Sequence, residues 1–132
     1  MSAFVDTSAL LAVLDADDAQ HARASRAWSS LVGSEEDLVT TSYVLVETFA
    51  LAQARLGLSA ARLLNDDVVP TLRVTWVDQA LHRAAMTALL TAQRRELSLV
   101  DCVSFEVMRR LGVDRGFAFD RQFRQQGFTL IP

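Results

Sequence analysis

Short apolar runs that stop at a polar or acidic residue alternate along this chain with longer stretches whose apolar positions recur three and four apart. The first pattern predicts buried strands and the second amphipathic helices. The run Ser2-Ala3-Phe4-Val5 stops at Asp6 and passes at once into a helical stretch, Ser8 to Leu14. Asp15-Ala16-Asp17-Asp18 reads as a break and then a cap for a second helix, Ala19 to Leu31, with Ala22, Ala27, Trp28 and Leu31 available for a buried face. Gly33 to Asp37 is a polar loop, and Leu38 to Thr41 a short strand. Ser42 is placed to cap the next helix, which runs to about Leu56 and stops at Gly57. Its window from Tyr43 to Leu51 is apolar nearly all round, which predicts a buried helix, and Glu47 is the only charge there.

Leu58 to about Asp67 predicts another helix, and Leu72 to Val77 a strand containing Trp76. Asp78 caps a long helix reaching about Arg95. Ser98 opens the helix that Gly112 ends, with Asp101 in its first turns. Phe117-Ala118-Phe119 reads as a strand that stops at Asp120, and Phe128 to Ile131 as a last one. Strands alternating with helices predict a mainly parallel sheet covered on both faces.

With 132 residues, 51% hydrophobic and 22% charged, the chain can bury a sizeable core as one domain, residues 1–132. No signal-peptide pattern opens it, and no apolar stretch reaches membrane-spanning length, so a cytoplasmic protein away from the membrane is expected. The single cysteine, Cys102, cannot form an intramolecular disulfide, which fits a reducing compartment; it reads as a small buried hydrophobe.

A net charge of −3 argues against a nucleic-acid partner until the placement of the acids is considered. Asp6 and Asp120 each end an apolar strand, and Glu47 and Asp101 each sit on an apolar helix. An unpaired carboxylate in an apolar setting is expensive. The chain has no lysine, and the windows around Asp6, Glu47 and Asp101 hold no arginine. One shared divalent cation is the economical solution, and oxygen donors without a His/Cys cluster suit Mg²⁺ or Mn²⁺ rather than zinc. With those four acids given to a cation, the rest nearly balance the 13 arginines. Each acid taken singly also fits a helix cap or a buried ion pair.

Phe4-Val5-Asp6-Thr7-Ser8-Ala9-Leu10, Glu47 within Val44 to Leu51, Leu97-Ser98-Leu99-Val100-Asp101-Cys102, and Phe117-Ala118-Phe119-Asp120-Arg121-Gln122-Phe123 resemble, in order, the four acidic motifs of PIN-domain ribonucleases, in particular the VapC-like toxins. Where some relatives carry a further acid after the fourth, this chain has Arg121 and Gln122. The resemblance implies a three-layer α/β/α fold and a Mg²⁺-dependent endoribonuclease, in which Mn²⁺ can substitute. The metal would be held mainly by Asp6 and Asp101, with Glu47 and Asp120 completing the acidic pocket. Metal-activated water would hydrolyse the phosphodiester bond. It also implies an RNA substrate, a homodimer and a cognate small antitoxin; Leu51 to Val69 is the expected part of the dimer interface.

Thr7 and Ser8 are candidates to hydrogen-bond the substrate, with helix capping as the competing role. Arg121 and Arg124 are the first candidates for RNA phosphate contacts, ahead of Arg94-Arg95 and Arg109-Arg110, which also suit helix C-termini. His21 and His82 read as surface or helix-face residues, and Trp28, Trp76 and the phenylalanines as core.

Two other classes compete. A non-cleaving RNA- or partner-binding protein of the same fold would not need all four acids. A phosphoacceptor or haloacid-dehalogenase-like phosphatase normally uses a basic residue, usually lysine, near the phosphoryl group. The phosphatases also use a second Asp two residues after the first, where this chain has Ser8.

Overall fold

The computed structural model describes residues 1–132. Its five strands are β1 (Ser2–Val5), β2 (Asp37–Thr41), β3 (Arg73–Thr75), β4 (Arg115–Phe117) and β5 (Thr129–Ile131). They form one sheet in the order β3-β2-β1-β4-β5, with every neighbouring pair parallel. The helices are α1 (Thr7–Leu14), α2 (His21–Val32), α3 (Ser42–Leu56), α4 (Leu58–Leu63), α5 (Gln79–Ala92), α6 (Leu99–Leu111) and α7 (Gln122–Gln125). A π turn (Leu64–Val68) and a 3₁₀ turn (Val69–Thr71) lead from α4 to β3. No helix is long and apolar enough to cross a membrane.

The sheet separates two cores. Successive side chains on a strand point to opposite faces, and β1 obeys: Phe4 joins one cluster, Ala3 and Val5 the other. On Phe4's side lie Leu81 and Ala85 of α5 and Val103 and Met108 of α6; on the other lie Leu10 of α1, and Ala24 and Leu31 of α2. Both faces are covered, so the expected layering holds. Phe4, Phe117 and Phe123 are fully buried. Burying side chains of this size contributes about 1.5–3 kcal/mol each.

The strand order positions the site. From β1 the chain moves outward on one side through β2 and β3, then returns to place β4 against the other side of β1. The crevice beyond the carboxyl ends of β1 and β4 is therefore a switch point, where ligands bind in open α/β sheets. Asp6 follows β1 there, and Phe119-Asp120 follow β4.

Several local expectations change. Thr41, not Ser42, caps α3, because its extended backbone lets its hydroxyl accept from the Val44 N–H. Ser42 instead accepts from the Val77 N–H at 2.9 Å. β3 pairs only with β2, which ends at Thr41 opposite Thr75, so β3 is shorter than predicted and Trp76 lies beyond the last paired residue. Trp76 is 74% exposed and is not core. The apolar window of α3 is not buried all round either: Val44, Leu45, Thr48 and Ala52 face inward, while Val46 is 68% exposed. α5 ends at Ala92, where Gln93 takes a left-handed conformation, rather than at Arg95. β4 ends at Phe117 because the Phe119 N–H leaves the sheet to bond Ser8.

Candidate active site

Asp6 stands between β1 and α1 with extended backbone, as an N-cap. Its Oδ2 accepts from the Ser8 backbone N–H at 3.1 Å and the Ser8 hydroxyl at 2.6 Å. The same Ser8 oxygen accepts the Phe119 N–H at 3.0 Å. Ser8 thus ties the end of β1 to the segment carrying Asp120. Thr7 is buried, and its hydroxyl donates to the Val44 carbonyl at 3.3 Å, joining α1 to α3.

Asp101 is the third residue of α6 and part of a capping box. The Ser98 hydroxyl accepts from the Asp101 N–H, while Asp101 Oδ2 accepts from the Ser98 N–H at 3.2 Å. Asp120 Oδ1 accepts from the Gln122 N–H at 2.9 Å at the start of α7. Local backbone N–H groups therefore take one oxygen of each aspartate, as helix caps at Asp6 and Asp101 and as a turn contact at Asp120, and the second oxygen makes no hydrogen bond within the protein. Glu47, half-buried on α3, makes no hydrogen bond or ion pair at all. The cap reading and the chemical reading of these acids coexist.

All four acids line one cleft of about 510 Å³, together with Thr7, Ser8 and Ser98. Desolvation, and then repulsion from Asp101 and Asp120, lift the Asp6 carboxyl to about 7 against the opposing Ser8 hydrogen bonds. Asp101 is raised for the same leading reason, with Asp120 and Glu47 adding repulsion. Burial also pushes the Cys102 thiol up, with Asp101 adding to it. No ion pair relieves the four acids.

No three His, Cys, Asp or Glu side chains converge into a preformed metal shell. The donor chemistry nevertheless fits a hard divalent cation: all oxygens, with one uncommitted carboxylate oxygen on each aspartate and both on Glu47, around a buried acid with no basic partner. Such a cation keeps several of its waters and needs only one or two direct carboxylates.

Several other candidates lie outside the cleft. Arg121 and Arg124 are exposed and do not line the cleft. The early end of β4 and the turn into α7 set them outside it. Arg94 is held by Glu96, Gln122 and Gln125. Among the lining residues that sequence reasoning did not assign to the site are Asp18, Gln20, Arg55 and Glu96. One signal was available, since Glu47, Leu51 and Arg55 are spaced by four and share a helix face. His21 packs against α1 through the Ala12 carbonyl, and His82 bonds the Tyr43 hydroxyl at 2.5 Å; neither lines the cleft. Cys102 is buried, as expected.

Known proteins resemble this chain in sequence and in fold. Residues 3–128 match the PIN domain family model. The chain is 38% identical to the 23S rRNA-specific endonuclease VapC20 of Mycobacterium tuberculosis, over 97% of this chain and 96% of that protein, in both strains CDC 1551 and H37Rv. The crystal structure of M. tuberculosis VapC20, described as a sarcin–ricin loop cleaving toxin, superposes with a TM-score of 0.87 and 36% identity, covering 97% of each chain. FitAcB from Neisseria gonorrhoeae shares the fold, with a TM-score of 0.69 at 14% identity over 98% of this chain and 96% of that one. The chain belongs to the PIN domain family.

Proposed function

We propose that this chain is a metal-dependent endoribonuclease and the toxin of a toxin–antitoxin pair, with Asp6, Glu47, Asp101 and Asp120 as its catalytic acids. The observation that carries this reading is that four acids from four separate elements line one cleft, with an uncommitted oxygen on each aspartate. A pocket of like charges repels a phosphodiester unless a cation intervenes. Asp6 and Asp101 are the proposed principal holders of Mg²⁺, with Glu47 and Asp120 completing its surroundings; Mn²⁺ has the same ligand chemistry. When bound, the cation lowers the pKa of water and offsets charge on the phosphate oxygens.

The protein's own part is orientation. Ser8 fixes one Asp6 oxygen and leaves the other without a protein partner, and Ser98 does the same for Asp101. Asp6, raised to about 7, must give up its proton before it serves as a ligand.

The similarity to VapC20 makes 23S rRNA the first substrate to test. The cytoplasm, where ribosomal RNA is found, is the proposed compartment. Leu58 and Leu63, large and exposed within the Leu51–Val69 stretch, support a homodimer. A small antitoxin that sets a basic side chain against the four acids would silence the site by charge neutralisation and metal exclusion.

The test incubates purified protein with deproteinised 23S rRNA and a hairpin of the sarcin–ricin sequence, with Mg²⁺, Mn²⁺ or EDTA. Cleavage that needs the cation and is lost in Asp101→Asn is expected. RNA binding without cleavage under every condition would favour the non-cleaving alternative.

A further inference from the structure

A cleft that admits RNA must also hold the strand, and its lining is dominated by acids: Asp18 and Glu96 add to the four already described. Arg55 is the only basic side chain among the lining residues. It is exposed, in the last turn of α3, and makes neither an ion pair nor a side-chain hydrogen bond. Several other arginines are committed: Arg73 to Asp37, Arg94 to Glu96, Arg110 to Glu106 and Arg115 to Glu36. A guanidinium left unpaired beside carboxylates is held apart from them by the backbone that carries it, and is open to an incoming anion.

The phase of α3 sets where that anion sits. Glu47 and Arg55 both line the cleft from the same helix face, with Leu51 between them. Eight residues at 1.5 Å rise place them about 12 Å apart along the axis. The two side chains are thus rooted at separate points along the cleft, which suits Arg55 to a phosphate beside the one at the carboxylates. We propose that Arg55 is a substrate-positioning residue that grips, by a bidentate guanidinium contact, a phosphate flanking the scissile one. Such a contact fixes register and carries no base specificity. The inference rests on the nuclease reading above and assigns the substrate grip to α3 rather than to the arginines after Asp120.

A helix-end arginine can also act only on its own helix, by meeting the negative end of the dipole. Steady-state kinetics and binding separate the roles. Arg55→Gln, Arg55→Lys and a control on an exposed α5 arginine, Arg83→Ala, are assayed on the hairpin RNA. Binding is followed across a salt series in the Asp101→Asn background with a fluorescein-labelled copy.

Arg55→Gln is expected to raise KM on the order of tenfold with little change in kcat, and to weaken binding similarly. The slope of log affinity against log salt is expected to fall by about 0.7–0.9. Arg55→Lys recovers part of the affinity, and Arg83→Ala leaves every value unchanged. If Arg55→Gln lowers the melting temperature but keeps wild-type KM and salt slope, the arginine serves its helix and the proposal is overturned while the nuclease reading stands. A wild-type chain that neither binds nor cuts RNA overturns both.

Discussion

The Ser8 hydroxyl donates to Asp6 at 2.6 Å and accepts the Phe119 N–H at 3.0 Å, so one oxygen atom spans the junction between the first strand and the fourth. Ser8→Ala leaves the Phe119 N–H unmatched in a half-buried place and removes a bond that lowers the Asp6 pKa. The expected cost is about 1–3 kcal/mol in urea unfolding. The acidic limb of the pH–activity profile moves to higher pH. Ser8→Thr keeps the hydroxyl and recovers most of both. An unmoved acidic limb in Ser8→Ala would show that Ser8 does not tune Asp6.

Asp6→Asn and Asp101→Asn should each abolish metal-dependent cleavage while leaving the protein folded. Asparagine keeps an oxygen for each helix cap and removes like charge from the cleft. Melting in EDTA at neutral pH should therefore match or exceed wild type. Full activity in both variants would remove these residues from the site.

Without metal, stability should fall as pH rises from about 4 to about 7. Burial lifts the folded-state Asp6 value to about 7 from 3.8, so across that interval the native protein holds a proton that the unfolded chain has released. The native state is favoured at the acid end of the interval, and the advantage disappears as pH passes the folded value, at up to about 1.4 kcal/mol per pH unit. Asp101, also raised, adds in the same direction. Urea unfolding in EDTA near pH 5 and pH 8 measures the difference, and Asp6→Asn should remove most of it. Equal stability at both values would mean that Asp6 titrates normally.

The two tryptophans should respond oppositely to truncation. Trp28 is half-buried and stacks on Phe117 with ring centroids 6.0 Å apart. Trp28→Ala should cost about 3 kcal/mol. Trp76 is exposed past the edge strand, and Trp76→Ala should stay within about 0.5 kcal/mol. Calorimetric melting of the pair distinguishes them, and a large loss in Trp76→Ala would reveal packing that an isolated chain does not show.

The sheet and the acidic quartet were legible because each rests on a local signal. A carboxylate that ends or interrupts an apolar run conflicts with its neighbours, and that conflict is visible at Asp6, Glu47, Asp101 and Asp120 without knowing the fold. Arg55 was not legible, because a last-turn arginine looks the same whether it points to a cleft or to solvent; only its phase relative to Glu47 differs. Arg121 and Arg124 follow Asp120 in sequence, but the turn into α7 sets them on the exposed surface outside the cleft. Trp76 misled because β3 ends where its only partner strand ends, at Thr41 opposite Thr75, a limit set by a distant segment.

The placement of β4 beside β1 has a consequence for the timing of biosynthesis. Asp6 leaves the ribosome long before the wall that carries Asp120. Until that segment docks, the central strand lacks one neighbour and Ser8 lacks its Phe119 partner. The cleft is therefore completed only once that segment has emerged, and nascent chains interrupted between Asp101 and Asp120 carry three of the four acids but no finished site.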